Sequence, residues 1–459
     1  MRFVTRLASR SAVVLLLLAG SAASLALAVS TQGQAGAPAG SLSEDLCPPI
    51  PKQITTAQAV PPLDFCGIDS QTSMDLYSWF TFIAMSWPAD LATCGPDLSK
   101  SVLSGDGPVV WESYLQDSEV YVAPRLMPVA WCPQKNAAAS RLALLPASVQ
   151  TLARQVGKPV KVLDAVSKVT PGLDLPAIEQ ALGGTLTDQN GNFVRYEIVL
   201  NKDEYGYLTR NGLWSQKGQA AFRRTVSFPQ SRYSNGNVYD PKGIMGAMEV
   251  KAAWKVLSDS EKSSGRFYAR EAIVYDEGGQ NAKVVTVGLV GLHIIHKTQA
   301  QPQWLWSTFE QEDNAPTLGD AHLAASYSFN NPKCSLADCP PNEQTYLGQT
   351  GTQPTPVQVW RTTPIEGSAK TLNPIFQGLL KGSVWQHYRL VGTQWRGEII
   401  TPQPLPLANA VLETYIQSYA SCNGCHSGAT LAVCSSANCA TKPQSPGNAD
   451  FSFLLGEAQ

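Results

Sequence analysis

In this 459-residue chain, the residue types and spacing best suited to chemistry stand together at 421–426, as Ser-Cys-Asn-Gly-Cys-His. Cys422, Cys425 and His426 form C-x-x-C-H, the signature for attachment of haem c. Two thiols at this spacing form thioethers with the two vinyl groups of a haem. The adjacent His426 imidazole then meets the iron from its proximal side. Paired cysteines also serve zinc sites and redox dithiols. Zinc needs four ligands, for which Cys434 and Cys439 stand nearby. A redox dithiol calls for a βαβ context, which the flanking sequence does not suggest.

On these residues the chain resembles the bacterial exported c-type cytochromes, specifically the single-haem cytochrome c family proteins. The sharp match covers 422–426, and the stretches 79–87, 289–314 and 450–455 are also similar to large members. The resemblance implies one covalent haem c on Cys422, Cys425 and His426. The chain departs from a small cytochrome c domain in one respect: only 33 residues follow His426, and none is Met or His. So short a tail cannot enclose a haem. The remaining pocket, and any second iron ligand, must come from upstream.

Candidates for that ligand are His293, His296, His322 and His387, with Met74, Met85, Met127, Met245 and Met248. His293 and His296 are three apart on an expected strand, so they point to opposite faces. By strict alternation His293 shares a face with Val285, Val287, Leu289 and Ile295, and His296 with Val290, Leu292 and Ile294. His293 lies deeper in the apolar run and ranks first as second metal ligand. Met245 and Met248 follow, and a five-coordinate iron is the remaining option. A lone His on an apolar strand is more often a satisfied core residue. Trp304 and Trp306 are candidates to pack near a porphyrin, although tryptophans after a strand are ordinarily core.

The elements that must position these groups read as α+β, with a large β-rich domain and a short helical haem-attachment segment. Leu76, Trp79, Phe80, Ile83, Ala84 and Trp87 recur at helical spacing over 73–87, ended by Pro88. Residues 185–200 predict a hairpin turning at Asn190-Gly191. Asp188, Asn190 and Asn192 mimic the start of a calcium loop, but no glutamate stands at its twelfth position. Strands are expected over 244–257, 266–275, 283–297 and 387–400. The third is apolar on both faces and belongs inside a sheet. A short helix over 409–418 should lead into the cysteine pair. The expected organisation is a signal peptide (1–28), a flexible leader (29–45), the main domain (46–400) and the attachment segment (401–459).

The N-terminus carries Arg2, Arg6 and Arg10, then an apolar run, then a small-x-small site at Ala26-Leu27-Ala28. The rival reading is an uncleaved anchor over 12–29, which Gly20, Ser21 and Ser24 weaken. Cleavage after Ala28 implies a periplasmic or secreted protein with no remaining membrane span. Lys and Arg then fall from 34 to 31 against 36 Asp and Glu, a net charge of −5. Without a basic surplus, a nucleic-acid partner is not expected. Eight cysteines remain outside the motif. Cys334–Cys339 and Cys434–Cys439 each enclose four residues and are expected disulfides, leaving Cys47, Cys66, Cys94 and Cys132 to pair among themselves. G-x-S-x-G, H-E-x-x-H and Walker loops are absent from the sequence. The leading function is electron transfer with a redox protein partner, a dehydrogenase or a terminal acceptor. The alternatives are a peroxidase-like or oxidase-like haem enzyme with an open distal position, and a haem subunit of a larger oxidoreductase.

Overall fold

Ser70 starts the first helix, α1 (Gln71–Met85), by accepting a bond from Ser73 N at 3.3 Å. The aromatic residues at helical spacing then give α1 a face that must be covered. In the computed structural model the described residues are 49–459, except 69, 106, 125, 133–137, 164–184, 277–278, 321–322, 325, 345–354, 366, 397–401, 404 and 433–448; of 138–140 and 402–403 only the backbone is described. The expected signal peptide and leader lie outside them. Among the described residues, no helix is long and apolar enough to cross a membrane.

The cover for α1 is a nine-stranded sheet, and the class is α+β. Its strands in chain order are β1 (Leu115–Gln116), β2 (Lys161–Leu163), β3 (Arg195–Leu200), β4 (Met248–Val256), β5 (Ala269–Asp276), β6 (Gln280–His296), β7 (Leu305–Gln311), β8 (Tyr388–Arg396) and β9 (Pro402–Gln403). The spatial order is β9-β8-β7-β6-β4-β3-β1; β5 pairs with the first half of β6, and β2 with β5. Only β2–β5 is parallel. The second half of β6, from Val287 to His296, thus runs inside the sheet with strands on both sides, as its two apolar faces require. Residues 280–286 pair with β5 alone, and Val284 is exposed.

Strict alternation fails once along β6. Ala253 pairs with Gly291 but Trp254 pairs with Leu289, so Val290 is an extra residue opposite β4. A bulge of this kind shifts every side chain before it to the other face. Val287 and Leu289 therefore join Leu292 and Ile294 in the core beneath α1, while Val290 packs on the reverse side. The expected groupings of His293 with Val285, Val287 and Leu289, and of His296 with Val290, are corrected accordingly. The opposition of His293 and His296, both beyond the bulge, stands.

One face of the sheet carries α1 and α3 (Gly367–Leu379). Trp79 stacks on Phe376 with ring centroids 5.0 Å apart, and Phe82 on Phe309 at 4.3 Å. Each buried aromatic ring there contributes roughly 1.5–3 kcal/mol through removal from water. The other face carries α2 (Lys202–Asn211), the segment 405–432 and the last residues of the chain. Two glycines let that segment close on the sheet. A Cβ on Gly291 would stand 2.7 Å from Val411 Cγ2, and one on Gly392 would stand 2.9 Å from Leu407 Cδ1.

The expected helix over 409–418 is instead a run of turns ending in one 3-10 turn, Gln417–Tyr419. Asn409 is the physical cause. Its side chain bonds Val411 N at 3.0 Å and reaches into the sheet at Phe309 O, 2.7 Å away. Such local bonds compete with helical pairing. At 187–193 the turn forms as expected: Asp188 Oδ1 accepts from Asn190 N and Asn192 N, and Gly191 takes φ +77°. Disulfides join Cys94 to Cys132 and Cys334 to Cys339, and Cys66 is also disulfide-bonded. Cys47, Cys434 and Cys439 lie outside the described residues. Pairing of this kind fits an oxidising compartment.

Candidate functional site

Ser421 begins the short helix α4 (Cys422–His426), accepting from Gly424 N at 3.0 Å. Glycine is needed inside the motif, because a Cβ there would stand 2.8 Å from Ser421 Oγ. The sheet fixes this turn from below. Gln394 Oε1, on β8, accepts from Asn423 N at 2.8 Å, and Asn423 Nδ2 donates to Gln303 O at 3.1 Å.

Cys422 and Cys425 are both unpaired thiols, and every other described cysteine is in a disulfide. Burial pushes the Cys422 thiol well above its ordinary pKa, and the charges of Glu413 and Cys425 push it the same way. Burial and Glu413 likewise raise Cys425. An attacking Cys-x-x-Cys pair uses the opposite setting, electropositive and thiolate-stabilising. The environment therefore disfavours a redox dithiol. Among the described residues, no group of three or more His, Cys, Asp or Glu is arranged to hold a metal ion by itself.

The His426 ring is held on three sides. Its Nδ1–H donates to Phe451 O at 2.8 Å. Trp306, on β7, lies 4.5 Å away between ring centroids, and Phe453 meets it edge-on at 4.9 Å. Donation from Nδ1 leaves the lone pair on Nε2, the atom that a proximal ligand offers to iron. Burial lowers the His426 pKa to about 4; the Phe451 carbonyl opposes this, while Lys251 and His293 reinforce it. The imidazole is thus neutral at pH 7 and competent to ligate.

His293 lies on the same face of the sheet as His426's partner Trp306. It pairs across the strands with Lys251 on β4 and Thr308 on β7. Thr308 Oγ1 in turn accepts from Asn409 Nδ2 at 3.0 Å, which marks this as the face beneath the attachment segment. The His293 Nε2 atom is buried, makes no hydrogen bond, and sits 3.4 Å from Glu413 Oε2.

The other candidates are accounted for differently. His296 points to the α1 face, where Nδ1 accepts from Tyr77 OH and Nε2–H donates to Met245 O at 2.5 Å. Both nitrogens are used, and burial holds its pKa near 4. Met74, Met85 and Met248 are core residues, and Met127 is exposed. His387 Nδ1 lies 3.0 Å from Glu312 Oε1, and Met245 is partly buried against the α1-side core. His322 lies outside the described residues. Sequence reasoning missed Glu413, Lys251, Phe451 and Phe453 as neighbours of the motif; only the tail's aromatic pair 451 and 453 carried any signal.

These residues fit a haem c: two neutral thiols one helical turn apart, a tautomer-fixed neutral imidazole beside them, aromatic walls, and a second imidazole on the sheet below. No family model, no curated protein and no solved structure matches this chain.

Proposed function

We propose that this protein is an exported c-type cytochrome with one haem c, attached through Cys422 and Cys425 and ligated by His426, that transfers electrons to or from a redox protein partner. One observation carries the reading. In a chain whose other described cysteines are oxidised in pairs, these two thiols stay free beside an imidazole whose Nδ1–H is already anchored. Bound haem supplies a one-electron iron couple. The protein's part is to hold His426 neutral, to exclude water with Trp306 and Phe453, and to cover the second haem face from the sheet. His293 is the proposed second ligand, because its buried Nε2 has no hydrogen-bond partner. The periplasm, or secretion beyond it, is the proposed location. It agrees with the disulfides and with the N-terminal sequence.

A second reading has a specific observation behind it. The 3.4 Å approach of His293 Nε2 to Glu413 Oε2 would supply an acid–base pair in a haem enzyme whose iron took no second protein ligand. Spectra of the reduced protein, with and without carbon monoxide, separate the two. An electron carrier gives a low-spin spectrum that carbon monoxide leaves unchanged, and His293→Ala converts it to high spin and opens a carbon monoxide site. Binding of carbon monoxide by the wild type favours the enzyme. An unchanged low-spin spectrum in His293→Ala excludes His293 as ligand.

A further inference from the structure

We infer that Asp450 is a positioning residue for His426, acting through the Phe451 carbonyl to fix the tautomer and orientation of the proximal imidazole; this rests on the haem reading. Asp450 and Phe451 are consecutive non-glycine residues in the left-handed region, at φ +51° and +70°. Asp adopts that conformation fairly readily, but a bulky Phe rarely does, and two such residues in succession call for outside support. Here three groups from upstream supply it. Lys297 Nζ, one residue past β6, bonds both Asp450 carboxylate oxygens, at 2.6 Å for Oδ1. Phe228 N donates to Oδ2 at 2.6 Å. Trp304 Nε1, one residue before β7, donates to the Asp450 carbonyl at 3.0 Å. Trp304 itself has φ +68°, and the Lys297 ammonium lies 5.9 Å from its ring centroid.

The β6–β7 connection thus grips both ends of Asp450, and the next carbonyl along is the one that receives the His426 Nδ1–H at 2.8 Å. Two residues further on, Phe453 closes against the same ring. A partner on the non-ligating nitrogen of a metal-bound histidine fixes its tautomer and raises its basicity. A tighter Nδ1–H bond therefore favours ferric over ferrous iron and lowers the potential. The sheet would set that bond through Asp450, whose carboxylate bonds Lys297 and Phe228 N.

Two readouts test this on the full-length protein. The first is nitrogen-15 NMR of the haem-free, histidine-labelled chain, with the His426 signals assigned from His426→Gln. Wild type should show His426 as one Nδ1–H tautomer. Asp450→Ala should show a mixture of both, and Asp450→Asn, which keeps the acceptor for Phe228 N, should restore most of the wild-type pattern. The second is the midpoint potential of the haem-loaded protein, which should rise in Asp450→Ala. Trp304→Phe, which removes one donor and keeps an aromatic ring, should move both readouts less and in the same direction. It also serves if Asp450→Ala does not fold. An unchanged His426 tautomer and an unchanged potential in the folded variants overturn the proposal. A wild type that takes no haem contradicts the haem reading alone, since the tautomer is read without haem.

Discussion

His296 and His293 leave the same strand in opposite directions and meet opposite fates. On the α1 face, His296 spends both nitrogens on Tyr77 and Met245, within a layer of stacked aromatic rings. On the other face, His293 keeps a buried Nε2 without a hydrogen bond, near Glu413 and beneath a segment that holds two free thiols and a half-anchored imidazole. Residue type alone does not separate these two histidines. What differs is whether the covering element brings partners for the ring or leaves one of its atoms over. The first face gives its histidine two hydrogen bonds, and the second leaves His293 Nε2 with none, only the 3.4 Å approach of Glu413.

The comparison can be broken from either side. The largest effect is expected from Phe309→Ala, which removes the ring stacked on Phe82 and edge-on to Trp79. Cavity creation there should cost about 3–5 kcal/mol of stability in chemical denaturation. The haem spectrum of the folded fraction should not change; a changed spectrum would mean that the two faces are not separable.

Gly291→Ala acts on the other side. The new methyl meets Val411 and Leu412, and overpacking should cost about 1–3 kcal/mol. Because it lifts the segment leading to Cys422, haem incorporation should also fall. Full incorporation with lowered stability would show that the 409–412 contact does not position the motif.

His296→Asn should be smaller and should depend on pH. The folded-state pKa of His296, near 4, lies below the ordinary value of 6.5. Its contribution is therefore complete above pH 6.5 and is lost as pH falls toward 4. The variant should be less stable than wild type by about 1–3 kcal/mol at pH 7, from unpaired buried polar groups. That gap should narrow between pH 6.5 and 4.5 as the wild type loses the stability that neutral His296 contributes. A gap that widens on acidification would mean that His296 is not held neutral in the fold.

Much of this arrangement was legible in the residues. Helix α1 declared itself through aromatic spacing, β6 through a run apolar on both faces, and C-x-x-C-H through its types and order. The period of two separated His293 from His296, but Val290 showed that parity read along a strand holds only as far as the next bulge. Helices α2 and α3 were not anticipated. In α2, Asn201 fixes the start with its side chain, accepting from Glu204 N at 3.1 Å, in a strongly polar stretch without an apolar stripe. α3 contains Pro374, a residue that argues against a helix interior. The turns at 409–416 were misread as a helix because Asn409's bonds into the sheet are long-range. The partners of His426 were hidden for the same reason: Phe451 is 25 positions away and is brought in by backbone geometry.

If Cys422 and Cys425 carry a haem covalently, intact-mass spectrometry of the denatured protein will show it. The chain should be produced in a periplasm competent for cytochrome c maturation, alongside Cys422→Ser/Cys425→Ser. Wild type should carry the added mass of one haem after acid-acetone extraction, on the peptide containing 422–426, and the double variant should carry none. A wild type with no added mass, or a double variant that retains it, would contradict the account.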